Sequence, residues 1–309
     1  MEKNMQLNFD LLEKRVDDAL FKTDLEYIRY ELKKIKEATI VSGVGGSSVV
    51  SEFCSKVLNK KNGIISINSE PRDFVYRNLN GFKNVIACSY SGNNYGVELA
   101  FNNNLKHYLL SRKSFDDKDV TYLKYDTSIE REKSFISLAA TLIPISILLN
   151  YYLDGDTEFI FETDYGKLYS YDFDVNCDCF EIFGGIDTGT TAKFLESTFV
   201  ESGIGIPIVH DKYSFCHGRS TTSINYNNIA IYLNMGTELD KLLMEELRKY
   251  YKEFVELNGS FLGSILGDYR MLVDAMYLTK YIAEQKQKDL SGVDYSDITG
   301  KIYKFSGKL

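Results

Sequence analysis

The stretch Val85-Ile86-Ala87-Cys88 runs straight into Ser89-Tyr90-Ser91-Gly92-Asn93-Asn94, and Tyr95-Gly96-Val97-Glu98-Leu99-Ala100 follows with the makings of a helix. An apolar run that stops at two hydroxyls and a glycine before a helix aims hydroxyl and backbone N–H groups at one point. Those groups and the positive end of a helix dipole suit an anion, most simply a phosphate. The same pattern also describes an ordinary strand-to-helix connection in which Asn or Ser caps the helix. A companion turn, Gly43-Val44-Gly45-Gly46-Ser47-Ser48, sits between the apolar Ala38-Thr39-Ile40-Val41-Ser42 and a helical stretch from Val49 to about Leu58. No lysine follows its glycines, so it is not a P-loop, and Ser48 stands where a dinucleotide-binding turn counted from Gly43 has its third glycine.

Composition narrows the partners. The chain has 309 residues and a formal net charge of −8, with basic residues scattered along it. There is no basic stripe for a polyphosphate backbone, so no nucleic-acid partner is expected, and an anionic ligand must be held by a local pocket. Met1-Glu2-Lys3-Asn4 leads into Leu7-Asn8-Phe9-Asp10 without an apolar signal core. The most apolar run, Leu138 to Tyr152, is about 15 residues long and contains Pro144, short of the roughly 20 a membrane span needs. No membrane partner is expected and a cytoplasmic location is. The odd number of cysteines (Cys54, Cys88, Cys177, Cys179 and Cys216) reads as reduced thiols. Cys177 and Cys179 form a lone Cys-x-Cys without a second ligand pair, so neither metal nor cofactor is expected.

The elements that must position the turns follow from hydrophobic spacing. From about Asn8 to Glu37, Leu11, Val16, Leu20, Leu25, Ile28, Leu32 and Ile35 recur at helical intervals, with a break at Thr23-Asp24. This predicts a helical leader that packs on the first domain or on a partner subunit. Short apolar runs at 38–42, 64–67, 85–89, 107–110 and 120–123 predict five strands, and a long helix is expected from about Glu132 to Tyr152. An acidic connection from Leu153 toward Asp174 precedes a second cycle. Strands are expected at 179–183, 206–209 and 229–233, and helices at 190–202, 237–257 and 269–287. Strands alternating with helices argue for right-handed βαβ units, parallel sheets and a twofold repeat of one α/β architecture.

With both turns in view, the chain resembles the double sugar-isomerase-domain (SIS) proteins. Gly43-Val44-Gly45-Gly46-Ser47 and Ser89-Tyr90-Ser91-Gly92-Asn93 are similar to the two phosphosugar-binding turns of that superfamily. The second is especially like the Ser-Tyr-Ser-Gly-Asn of bifunctional phosphoglucose/phosphomannose isomerases. Ser69-Glu70-Pro71-Arg72 resembles the Ser-Glu-Phe-Arg of glucosamine-6-phosphate synthase isomerase domains. Glu132-Lys133-Ser134-Phe135 resembles the Glu-Lys-Gly-Phe of tagatose-phosphate and galactosamine-phosphate isomerase-like members. Glu201 stands sixteen positions before His217, and Asp294 seven before Lys301, as the corresponding residues do in synthase-type enzymes. Cys216-His217-Gly218-Arg219 departs from the Lys-His-Gly-Pro of that group, and Asp294-Tyr295-Ser296-Asp297 from its tail. The resemblance implies two similar three-layer α/β/α domains at 38–153 and 175–288, each on a mainly parallel five-stranded sheet. A helical leader at 1–37 and a tail at 289–309 that contributes to the active site complete the expected organisation.

The activity so implied is aldose–ketose isomerisation of a phosphosugar. Moving a proton between C1 and C2 through an enediol needs a carboxylate base, an acid–base group near neutral pKa, and donors for the developing oxyanion. His217 suits ring opening, since an unperturbed imidazole titrates at about 6.5, but its position also fits a surface-loop histidine. Glu201 and Glu132 compete as carbon base, with Glu201 preferred; otherwise Glu201 caps or salt-bridges the end of its helix. Lys301 is expected on the sugar oxygens or as a Schiff base, unless it is a solvated tail lysine. Ser47, Ser89, Ser91 and Asn94 are the expected phosphate ligands, and Gly45, Tyr90 and Arg72 the sugar contacts. Arg72 equally suits an ion pair with Glu70 or Asp73. His107 and His210 adjoin apolar strands and read as structural. The relatives' histidine serves the neighbouring subunit, so a homodimer with shared sites is implied. The competing readings are a fructosamine-6-phosphate deglycase and a non-catalytic phosphosugar sensor.

Overall fold

The leader forms three helices, α1 (Glu2–Asp10), α2 (Leu12–Lys22) and α3 (Leu25–Lys33), in a computed structural model that describes residues 2–115, 117–130, 132, 134–163, 171–223 and 227–292. The expected break at Thr23-Asp24 separates α2 from α3, and Asp24 caps α3 by accepting the Tyr27 N–H at 3.0 Å.

The first half then runs β1 (Thr39–Ser42), α4 (Gly46–Val57), β2 (Ser66–Asn68), β3 (Asn84–Cys88), α5 (Tyr95–Phe101), β4 (Lys106–Ser111), β5 (Val120–Lys124) and α6 (Leu138–Tyr152). Its five strands pair in the order β2-β1-β3-β4-β5, all parallel. Alternation along each strand sends Val41, Ile86, Tyr108 and Leu110 to one face and Ile40, Val85, Ala87 and Leu109 to the other, so both faces need a cover. Helices α4 and α6 cover the first face and α5 the second. The leader lies outside α6, where Arg29 donates to Asn150 at 2.9 Å.

The second half, entered through the short α7 (Glu158–Phe161), runs β6 (Cys179–Gly184), α8 (Gly189–Ser202), β7 (Ile206–Asp211), α9 (Lys212–Ser214), α10 (Ser220–Ser223), β8 (Ile229–Asn234), α11 (Glu238–Leu247), β9 (Glu253–Asn258) and α12 (Gly263–Gln285). These strands are parallel in the order β7-β6-β8-β9. Phe180, Ile182, Ile229 and Ile231 meet the same core as the first sheet, whereas Phe183, Ala230 and Tyr232 pack with Leu243 and Leu247 of α11. Helices α4, α6, α8 and α12 therefore form one buried layer between two sheets. All five cysteines are unpaired, and no described helix is long and apolar enough to cross a membrane.

Three expectations need correction. The second sheet has four strands among the described residues, not five. The helix expected at 237–257 ends at Leu247, and Leu257 lies in β9. Leu243, Leu247, Tyr251 and Val255 fall four apart, so helical spacing persists across the end of α11 and hides the strand. The helix expected from Glu132 begins at Leu138 instead, because Glu132 folds back to cap it: its Oε2 accepts the Ala139 N–H at 2.8 Å and the Ser137 hydroxyl at 3.0 Å.

Between β7 and α10 the chain carries His217, and Lys212 pins the base of this segment. Its ammonium is buried against Asp240, which also accepts from the Tyr232 hydroxyl at 2.9 Å and the Thr237 N–H at 3.0 Å. Burial alone would raise the Asp240 carboxyl, but the Lys212 and Thr237 hydrogen bonds outweigh it and hold it below the usual range. A depressed carboxyl contributes stability above its unfolded pKa, about 3.9, and loses it as pH falls through the folded value. Asp240→Asn should therefore cost about 3 kcal/mol at pH 7 by leaving Lys212 buried and unpaired. In urea titrations the gap from wild type should hold above about pH 5 and close as pH falls below about 4.

Candidate functional site

Both turns singled out in the sequence end central strands of the first sheet, and they open on the same side. After β1 the chain passes through Gly45, whose φ of +58° is left-handed, before α4 starts at Gly46. After β3, Ser89 accepts the Gly92 N–H and the Asn94 side-chain amide, both at 3.1 Å. Asn94 caps α5 by accepting the Val97 N–H at 3.1 Å. Gly92 has φ +73°, and a Cβ there would stand 2.9 Å from the Phe115 ring and 3.0 Å from the Ser111 hydroxyl. The anion turn and the capped connection are thus one object: Asn94 spends its amide organising the turn while Ser89 and Ser91 border an opening.

That opening is a cleft of about 250 Å³, on the small side for a ligand pocket. Its first wall is Gly46, Ser47, Ser89, Tyr90, Ser91 and Asn94, and its second is the start of α6 with Ser137, Ala140 and Thr141. The third wall comes from the other half, where Phe194, Ser197, Thr198 and Glu201 share one face of α8. Glu201 Oε1 accepts the Ser197 hydroxyl at 2.7 Å and lies 3.7 Å from where a Cβ on Gly45 would stand. Hydroxyls dominate the lining. Among the described residues Glu201 is the one charged group in it, and no Lys, Arg or His takes part.

No protein-family model matches the sequence, and no curated protein matches it. Solved structures do. Tagatose-6-phosphate ketose/aldose isomerase from Escherichia coli aligns with a TM-score of 0.75 at 12% identity, over 95% of this chain and 96% of that one. Glucosamine-6-phosphate deaminase from Thermotoga maritima gives 0.70 at 15%, over 96% and 97%. The C-terminal domain of glucosamine-fructose-6-phosphate aminotransferase from Francisella tularensis gives 0.68 at 11%, over 93% and 97%. The chain has the double sugar-isomerase-domain fold. At these identities the likeness speaks for the fold alone.

On this double sugar-isomerase framework the expected site residues divide. Ser47, Ser89, Ser91, Asn94, Tyr90 and Glu201 border the cleft, and Gly45 shapes its rim. The Tyr90 hydroxyl accepts from Arg112 at 2.8 Å. Glu132 does not line it: the carboxylate is buried as the α6 cap, its second oxygen has no hydrogen-bond partner among the described residues, and burial pushes its carboxyl up. Arg72 pairs with Glu70 at 3.2 Å on the surface, away from the lining. His217 is exposed beyond β7 at φ −88°, ψ 31°, and does not line this chain's cleft. Lys301, with Val293-Asp294, lies outside the described residues. The tail before it, Leu290 and Ser291, accepts backbone bonds from Ile136 and Phe135 at 3.2 and 3.1 Å along the cleft wall. His210 is buried in β7 and bonds Glu181 at 2.8 Å, while His107 stacks on Phe101 at 4.6 Å.

Sequence reading missed Thr141, Ser197 and Thr198. Phe194, Ser197, Thr198 and Glu201 follow helical spacing, so the face was there to be read once Glu201 was chosen. The turn geometry predicts that Gly92→Ala costs about 1–3 kcal/mol in urea unfolding, from left-handed strain plus the clash with Phe115 and Ser111. Gly81→Ala, with open space around its Cβ, should stay within about 0.5 kcal/mol of wild type.

Proposed function

We propose that this chain is a phosphosugar aldose–ketose isomerase. One observation carries the reading: the hydroxyl-rich turns of one half and the carboxylate of Glu201 from the other half border the same small cleft. In this reading Ser47, Ser89 and Ser91 donate to the phosphate, helped by the positive end of α4. The sugar extends along Thr141 and Tyr90 toward α8. Glu201 removes the proton from C1 or C2 of the open-chain form and the electrons pass into the carbonyl to give an enediolate. The proton of the neighbouring hydroxyl moves to the former carbonyl oxygen, and Glu201 returns its proton to the other carbon as the new carbonyl forms. Ser197 orients the carboxylate. Supporting analogy comes from fold neighbours whose names describe six-carbon phosphosugar chemistry, an isomerase and a deaminase among them.

His217 and a homodimer belong to the same proposal. A histidine that opens rings must reach the sugar, and His217 lies outside its own chain's cleft, so a second copy would supply it. The exposed edge of β7 supports such an association, because Ile206, Ile208 and the nearby Val200 and Tyr213 present apolar surface beside this segment. The lack of a cation in the described lining favours one rival, a phosphosugar-binding protein without turnover.

Incubation with glucose, fructose, mannose and amino-sugar 6-phosphates and fructosamine 6-phosphates in deuterated water, followed by NMR, separates these readings. The expected result is deuterium at C1 or C2 with interconversion of aldose and ketose. Glu201→Gln should slow exchange by roughly 10²–10⁴-fold with little change in binding, and Ser89→Ala should weaken binding by roughly 10–100-fold, the worth of a hydrogen bond to a charged group. Amine release without exchange would replace the isomerase by a deglycase. Tight binding without turnover, unchanged in His217→Ala, would leave a binding protein.

A further inference from the structure

The strand order β7-β6-β8-β9 repeats β2-β1-β3-β4, so the first turn of the open cleft has a counterpart in the second half. Strand β6 occupies the place of β1, beside the centre of its sheet; α8 follows it as α4 follows β1; and α12 stands where α6 does. The counterpart of the first anion turn is therefore Gly184-Gly185-Ile186-Asp187-Thr188 at the start of α8. This end of α8 is already occupied. The Asp268 carboxylate, from α12, accepts the Thr190 N–H at 3.1 Å, the Thr191 N–H at 3.0 Å and the Thr191 hydroxyl at 2.7 Å. Lys56 of α4 reaches across from the first half to bond the same carboxylate and the Asp187 carbonyl, the latter at 2.7 Å. Asp268 is fully buried, and so is Thr190, whose hydroxyl has no partner among the described residues. At the matching place in the first half stands Thr141, whose hydroxyl is 3.4 Å from where a Cβ on Gly46 would lie, and the space beside it is open.

We propose that the second half's turn is a built oxyanion site kept filled by the Asp268 carboxylate. Two helix N–H groups, a threonine hydroxyl and a lysine ammonium converge there, the donor set an oxyanion needs. The ligand class is a small oxyanion of carboxylate size, supplied in cis. Of this matched pair of turns, the one before α4 faces an open cleft and the one before α8 is closed by the chain's own side chain, and the closed one clasps α4 to α8. This assignment rests on Asp268 and its donors and does not require the open cleft to bind a phosphosugar.

Removing the resident anion should expose the site. Thermal melts of Asp268→Ala are expected to show a lowered Tm that formate raises by several degrees, saturably, whereas chloride at matched ionic strength does not. Wild type should respond alike to both salts. Asp268→Asn, whose amide still fills the space, should also respond alike to both, and Lys56→Met combined with Asp268→Ala should lose the formate effect. If Asp268→Ala does not fold in plain buffer, refolding from urea in formate against chloride reads the same quantity as recovered folded protein. Formate and chloride acting equally on Asp268→Ala, or formate stabilising Asp268→Asn as well, would overturn the proposal.

Discussion

Helices α4 and α8 lie side by side in the layer between the sheets, and the rest of the site depends on how they are held. They run antiparallel. Gly45 and Gly46, at the start of α4, lie beside Glu201 at the end of α8, while Lys56 near the end of α4 reaches the start of α8. The ten steps from Gly46 to Lys56 span roughly 15 Å of helix. The Lys56–Asp268 contact and the turn that faces Glu201 thus stand at opposite ends of one helix. Neither half contains the cleft alone, since the hydroxyls belong to one sheet's turns and the carboxylate to the other half's helix.

The core explains why that relation can be steady. One continuous hydrophobic cluster includes Val50 and Phe53 of α4, Leu142 and Ile145 of α6, Phe194 and Leu195 of α8, and Leu272 and Ala275 of α12. Two domains joined by a thin contact would be expected to move against each other. Here the helices between the sheets are shared, so the halves pack as one body and the distance from turn to carboxylate is fixed by side-chain packing.

Local chemistry was legible in the sequence where local chemistry decides the structure. Both Gly/Ser turns, the first five strands and the Thr23-Asp24 break rest on short-range patterns, and each lies where its pattern puts it. The placement of Glu201 on one helical face was also within reach. What escaped depends on contacts between distant segments. Glu132 reads as an acid beside a motif, but it is consumed in capping the helix that follows it. Asp268 stood one residue before the helix expected at 269–287 and drew no notice; its partners are a helix start 77 and 78 residues earlier and a lysine in the other half. Strand β9 was hidden because an i, i+4 apolar series continued across a turn. His217 was found as a residue, but the segment that carries it lies outside the cleft that Glu201 borders.

The central claim is that the Ser47, Ser89 and Ser91 hydroxyls hold a phosphate while Glu201 faces the reacting carbons. A crystal structure of the protein with an open-chain hexitol 6-phosphate, which cannot react, tests it most directly. The account predicts the phosphate against those three serines, with C1 and C2 within hydrogen-bonding distance of the Glu201 carboxylate. A phosphate bound elsewhere, or a sugar whose first carbons point away from α8, would contradict it.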